Sequence, residues 1–354
     1  MPLFGIEEDV IDDTTDESVN IRYSISSYGA DYPVDGLVQR LNTGSIYIPH
    51  FQREYVWSQK QASRFIESLL LGLPVPGVFL SKDPETEKLV VIDGQQRLKS
   101  LQFFYNGVFV NDRAFKLQGV QPQFEGLTYS ELSPEDKLRM SDSIIHATIV
   151  RQEVPTNDQS SVYHVFERLN TGGTPLQPQE IRACIFFGGF NELLREFAET
   201  PEFLEIYGRP SPRLKHQELV LRFLALYFSA DTYEKPLKGF LNEFMGRNRH
   251  LQIHTHQELE SKFLPTVRLL ARTLGKKAFR SGRQLNAAIY DSVMIGIARR
   301  IQNGPINDEQ EFINSYHRLI QNDDYEALVK GGTSDETNVR KRLEMSTEHF
   351  SELV

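Results

Sequence analysis

The sequence predicts an α+β protein, a mixed first half followed by an α-helical second half. Three observations lead there. Two β-type runs, GVFLS and KLVVI, flank the polar connection DPETE within residues 77–92 and run through Asp93-Gly94 into a helical pattern. From about residue 190 onward the apolar spacing is helical almost throughout. The 354 residues are 40% hydrophobic and 25% charged, which suffices for about two domains with ordinary cores.

In chain order, residues 1–20 hold Glu7, Glu8, Asp9, Asp12, Asp13, Asp16 and Glu17 and no Lys or Arg. The rest of the chain is near neutral, with 41 acids against 39 bases. This segment is expected to be a disordered solubilising tail, or else a regulatory arm that mimics nucleic acid at a basic site. Residues 21–47 read as a short lead-in with a helix near Pro33–Leu41, and 46–57 as a short extended segment and a loop. Ser58 caps a helix over 58–72 whose apolar positions Ala62, Phe65, Ile66, Leu69 and Leu70 share one face. After the 77–94 hairpin, LKSLQFFYNG forms a helix that ends at Gly107. HATIVRQEV (146–154) reads as a strand, and SSVYHVFERLN (160–170) as a helix. A glycine-proline loop then enters a further helix within 171–189. Helices are expected over 216–228, 257–274, 285–301 and 309–320. The division is into an acidic tail (1–20), a first domain (21–190) and a helical domain (191–354).

Several function classes are excluded or disfavoured. Cys184 is the only cysteine, so neither an intramolecular disulfide nor a cysteine zinc cluster is available. No apolar run approaches the ~20 residues of a membrane helix, and the acidic start lacks the features of a signal peptide. A cytoplasmic protein is expected, with no membrane partner. Gly275-Lys276-Lys277 lacks the upstream glycine of a Walker A loop. His250, His254 and His256 lack the strands and partner residues of a metal nuclease. The DPETEK stretch (83–88) reads as a hairpin tip.

Three motifs carry chemistry. In Ile92-Asp93-Gly94-Gln95-Gln96-Arg97 a strand enters a glycine turn and then a helix. Free backbone N–H groups and the positive end of a helix dipole meet there, which makes an anion site. Arg97 adds a planar fork suited to phosphate, and Gly94 permits close backbone approach. Asp93 can hold a metal ion or a ribose hydroxyl. Gln95 and Gln96 can orient a water or read a base edge. The bland alternative is a capped helix in which Arg97 pairs with Asp93. The second motif, IPHFQREYVW (48–57), sets aromatics beside Gln52 and Arg53, as for base stacking, or else plugs the core with Phe51, Tyr55 and Trp57. The third, Phe166 to Leu176, ends a helix in Asn170-Thr171-Gly172-Gly173-Thr174. That composition suits an N–H nest for phosphate, or a C-cap and turn.

Taken together, IPxFQRxYVW, VIDGQQRL and FERLNTGGTPLxxxEIR resemble the GmrSD-type N-terminal domain, family 262 of the domains of unknown function, across roughly residues 35–190. RLKHQELVLRFLAL (213–226), FLNEFM (240–245) and LNAAIYDSVM (285–294) look like the family's helical continuation. The resemblance implies a ParB/sulfiredoxin-like fold, NTP binding or hydrolysis, and a place in bacterial anti-phage defence or modification-dependent restriction. Asp93, Gly94, Gln95, Gln96 and Arg97 match the DGQQR signature residue by residue, and Gln52, Arg53, Asn170 and Gly173 match the flanking motifs. On this reading Asp93, Gln96 and Gln52 are catalytic. Gly94, Gln95, Arg97, Arg53, Asn170, Gly172, Gly173 and Thr174 bind the nucleotide, GTP or ATP, and Asp93 holds a Mg2+ ion. The chain lacks room for the nuclease domain that usually follows, so a sensor with a partner nuclease is expected. The alternative is a non-catalytic DNA- or partner-binding module using the same pocket.

Seven bases and no acid lie between Lys262 and Tyr290. Arg268, Arg272 and Lys276 are spaced for one helical face, as for a DNA backbone, or for a solvated surface. Oligomerisation is left open.

Overall fold

The computed structural model describes residues 10–11, 25–48, 55–83, 86–152, 160–169, 176–281 and 284–353. The chain divides into two compact units, one of residues 21–176, the other of 1–20 with 177–354. The first strand, β1 (Val10–Ile11), belongs to the second unit; the rest of the acidic tail lies outside the described residues.

Residues 21–176 build a five-stranded mixed sheet. Its elements are β2 (Ile25–Pro33), α1 (Val34–Asn42), β3 (Ile46–Tyr47), α2 (Gln59–Leu70), β4 (Val78–Lys82), β5 (Leu89–Asp93) and α3 (Gln95–Asn106). A two-stranded ribbon, β6 (Val108–Phe109) with β7 (Arg113–Ala114), leads on to α4 (Pro134–Asp142), β8 (Ile144–Gln152) and α5 (Ser160–Leu169). The strand order is β2-β8-β4-β5-β3. The expected hairpin is β4 and β5, antiparallel, with Leu80 opposite Val91 and Lys82 opposite Leu89. On its other side β4 runs parallel to β8, and β2 closes the edge antiparallel to β8 with Tyr28 opposite Ile149.

Alternation along the strands assigns the faces. Val78, Leu80, Leu89, Val91, Ala147 and Ile149 join the apolar faces of α1 to α4 in one core. Val90, Ile92 and Val150 point to the other face and are also buried, where α5 packs on β5 and β8. Ser58 caps α2 with a complete capping box, and Gly107 closes α3 in the left-handed conformation. The nine-residue strand β2 corrects the reading of 21–47 as lead-in plus helix. It is an edge strand, half exposed and interrupted by Gly29 and Pro33, so its alternation is weak.

The second unit is helical, with α6 (Pro178–Ile185), α7 (Gly189–Ala198), α8 (Pro201–Tyr207), α9 (Lys215–Ser229), α10 (Leu237–Arg247) and α11 (His256–Thr273). Two short strands follow, β9 (Arg280–Ser281) and β10 (Gln284–Asn286), the latter paired in parallel with β1. The unit is completed by α12 (Ala287–Ile301), α13 (Glu309–Ile320), α14 (Asp323–Lys330) and α15 (Glu336–Ser351). The expected helices occur within a residue or two of their predicted spans. At its centre Asp291 of α12 takes a two-bond fork from Arg222 of α9, at 3.0 and 2.7 Å, and a third bond from Arg342 of α15 at 3.3 Å. All three are buried. Helix α6, assigned by the sequence to the first domain, packs here with α9 and α10. Among the described residues no helix is long and apolar enough to cross a membrane.

Candidate functional site

The candidate site is built where β5 turns into α3. Gly94 adopts φ 100°, ψ 7°, a backbone state costly to any residue with a Cβ. A Cβ there would also stand 2.5 Å from Val78 Cγ1 of β4. The close approach that requires glycine is therefore to the neighbouring strand. Leu98 N–H makes the first helical bond, to Gly94 O at 3.0 Å, and no side chain caps the helix. The N–H groups of α3's first turn thus lack partners within the helix, at its positive end.

Arg97 reaches back one turn and donates from Nη2 to Asp93 Oδ2 at 2.9 Å. Its side chain is 16% exposed, that of Asp93 44%. The alternative pairing considered from the sequence is therefore present. It does not exhaust the guanidinium: Arg97 Nε is buried with no hydrogen-bond partner among the described residues. Such an orphaned donor is unusual in a folded protein. Asp93 is partly exposed and only its Oδ2 is bonded to Arg97, so a Mg2+ ion held by one carboxylate, waters and substrate phosphates fits its chemistry.

Gln96 has a role the sequence does not reveal. Its Oε1 accepts from Val56 N–H at 3.0 Å and Trp57 N–H at 3.1 Å, using both lone pairs. It ties the end of the second motif to the start of α3. Any contact of Gln96 with a ligand falls to its NH2 group. Ser100 Oγ donates to Gln96 O at 2.7 Å, so the Tyr55 hydroxyl, 2.7 Å from Ser100 Oγ, is the donor in that pair. Burial pushes the Tyr55 pKa up to about 12. Burial also lowers the pKa of Lys99. Tyr55 packs edge-on against Phe103 and Phe109, and Trp57 against Phe65. For these two aromatics the core-plug reading holds.

Helix α5 carries the first part of the third motif against β5, the strand that ends in Asp93. Gln52, Arg53, Asn170, Gly172, Gly173 and Thr174 lie outside the described residues. So the structure brings together Asp93, Gly94, Gln95, Gln96 and Arg97 and is silent on the other six.

The closing EIR of the third motif belongs to the second unit. Arg182, buried, donates from Nε to Asn242 at 2.9 Å and from Nη1 to Gln179 and Glu218 at 2.8 Å each. Glu180 Oε2 accepts from Arg213 Nε at 2.9 Å and from Gln177 N–H at 2.6 Å. Apart from Gln177 and Gln179, which lie just before EIR, these residues come from EIR, RLKHQEL and FLNEFM, three stretches matched separately in the sequence. Their shared signal was polar residues inside otherwise apolar helical runs.

The expected basic face is not formed as drawn. α11 ends at Thr273, and Lys276 lies in a 3-10 turn after Gly275, out of line with Arg268 and Arg272. Arg268 meets Glu202 at 3.2 Å and Arg272 meets Glu309 at 2.6 Å. The acids absent from this stretch of sequence arrive from other helices. His256 bonds Glu196 at 3.1 Å, and among the described residues no cluster of three metal-ligating side chains occurs.

The fold and this turn define an α+β domain with a polarised strand–glycine–helix junction at the C-terminal end of β5. Residues 34–187 match the family model of the GmrSD restriction endonuclease N-terminal domain, and this segment is a GmrSD-type N-terminal domain. No curated protein matches the chain significantly.

Proposed function

We propose that this chain is a nucleotide-binding component of a restriction system, acting as sensor and not as nuclease. The phosphates of an NTP would lie at the start of α3. The observation that carries this is Arg97, held beside the uncapped helix start with Nε buried and unpartnered among the described residues. A phosphate oxygen there meets a charged fork and the positive end of the helix dipole together. The ParB/sulfiredoxin-like reading and the nest at Asn170–Thr174 are part of this proposal. Asp93 would hold the Mg2+ ion that offsets phosphate charge. DNA is the expected further partner, in keeping with the restriction-endonuclease family.

The engagement of Gln96 favours a second reading, binding without hydrolysis. A side chain whose oxygen is committed to a loop is not placed to activate water through that oxygen. Titration calorimetry with GTP, ATP, CTP and UTP in Mg2+, with phosphate release measured with and without DNA, separates the readings. Arg97→Ala is expected to abolish binding of the preferred NTP while the unit stays folded. Equal affinity in wild type and variant refutes the assignment.

A further inference from the structure

The hairpin that delivers Asp93 has a second charged feature at its opposite end. Beside the last residue of β4 and the first of β5, an open cleft of about 460 Å³ is lined by Tyr28, Tyr32, Arg40, Lys82 and Lys88, with Glu87 as the one acid among the described lining residues. It is separated from Asp93 by the length of β5, about 13 Å for five residues. Tyr28 is 47% exposed, although its backbone is paired with Ile149 in the sheet. Large aromatic faces left in water on a strand need a reason. The Arg40 guanidinium stands 5.4 Å from the centre of the Tyr32 ring, and Lys82 is paired with Glu87. The hairpin tip supplies Glu87 and Lys88, with Thr86 bonded to Asp83 to close the turn.

We infer that this cleft binds a single-stranded nucleic-acid segment, with a base on the exposed Tyr28 ring and backbone phosphates on Arg40, Lys82 and Lys88. Aromatic platforms among cations are the recurring solution for single strands, because every base offers a π face and every nucleotide a phosphate. The volume lies within the ~300–1,000 Å³ range of small-ligand sites. That suits one unstacked nucleotide better than the stiff, paired surface of a duplex. Among the described lining residues three cations face one acid, Glu87, which pairs with Lys82 and leaves Arg40 and Lys88 for phosphates.

The test is fluorescence anisotropy of the full chain with short labelled oligothymidylate and oligouridylate, over a salt series. The wild type is expected to bind with salt-dependent affinity. Lys88→Ala and Arg40→Ala should each make the log–log salt slope shallower by about 0.7. Tyr28→Ala should weaken binding about five-fold or more, with the slope kept, and Tyr28→Phe should restore it. Glu87→Gln should tighten binding by releasing Lys82. Unchanged melting temperature in these surface variants controls for folding. The two oligomers distinguish DNA from RNA as the source of the strand. The inference is overturned if wild type binds neither oligomer, or if duplex DNA binds with equal affinity through Tyr28, Arg40 and Lys88. It is also overturned if tripolyphosphate competes as strongly as the oligonucleotide, or if the cleft variants bind as wild type does. Loss of binding only on reversing Arg268, Arg272 and Lys276 to Glu would likewise refute it. Nucleotide affinity at Asp93–Arg97 is measured separately, so either proposal can fail without the other.

Discussion

Gln96 separates a positioning role from a catalytic one, and two substitutions distinguish them. Gln96→Ala removes the acceptor shared by Val56 N–H and Trp57 N–H. A buried donor left without a partner costs about 1–3 kcal/mol. The Val56 bond is exposed, so its amide turns to water cheaply, whereas the Trp57 bond is half-buried. The sum is about 2 kcal/mol, equivalent to a fall of about 4–8 °C in melting temperature for a unit of this size. Gln96→Glu keeps an oxygen acceptor and adds negative charge in the first turn of α3, where the helix dipole favours it. It should stay within about 0.5 kcal/mol of wild type. Trp57 is the only tryptophan, so selectively excited tryptophan fluorescence follows this loop and its unit. Unchanged melting in Gln96→Ala, or equal loss in both variants, refutes the anchoring role. Lost NTP binding in Gln96→Glu with normal melting would fit charge repulsion from phosphates at the start of α3.

Other substitutions probe the framework. Gly94→Ala meets both the left-handed backbone and Val78, and should destabilise the unit by about 3 kcal/mol in urea titration; a silent variant would mean that the turn relaxes. Asp291→Ala strands two buried arginines and should cost about 3–5 kcal/mol, whereas replacing Arg222, Asp291 and Arg342 together by apolar residues should cost far less. Equal losses would show that packing, not charge, dominates there. Burial lowers the pKa of His216 from 6.5 to about 4. The unfolded chain therefore takes up a proton before the folded one does. Its contribution is complete above pH 6.5 and is lost as pH falls toward 4, on the order of 3 kcal/mol in all. His216→Asn should flatten that part of the stability–pH curve, and an unchanged curve would refute the assignment.

The hairpin, the α3 start and the helices of the second unit were legible because local periodicity and capping residues agree with the final packing. Ser58, Gly94 and Gly107 each act where the pattern puts them. What was not legible depends on partners distant in sequence. The edge strand β2 is defined by pairing with β8, more than a hundred residues on. The bond from Gln96 to the 56–57 loop spans 40 residues. The basic stretch 262–290 seemed uncompensated because Glu202 and Glu309 lie outside it. The cleft beside Lys82 joins β2 and α1 to the hairpin tip, so Lys82 and Lys88 are far in sequence from Tyr28, Tyr32 and Arg40.

The Arg182 network bears on how this protein should be divided. The recognisable family segment stops at residue 187, two residues past the end of α6. A fragment cut at that point would retain Glu180 and Arg182 but discard Arg213, Glu218 and Asn242, with which they share charge and hydrogen bonds. The orphaned helix would present a bare ion pair's worth of unmatched groups alongside Ile181, Ala183 and Cys184, all buried in the whole chain. Such a piece should aggregate through that helix, while one ending near residue 176 should not. Homology marks what is recognisable in the sequence; the severed bonds mark where the chain resists being cut.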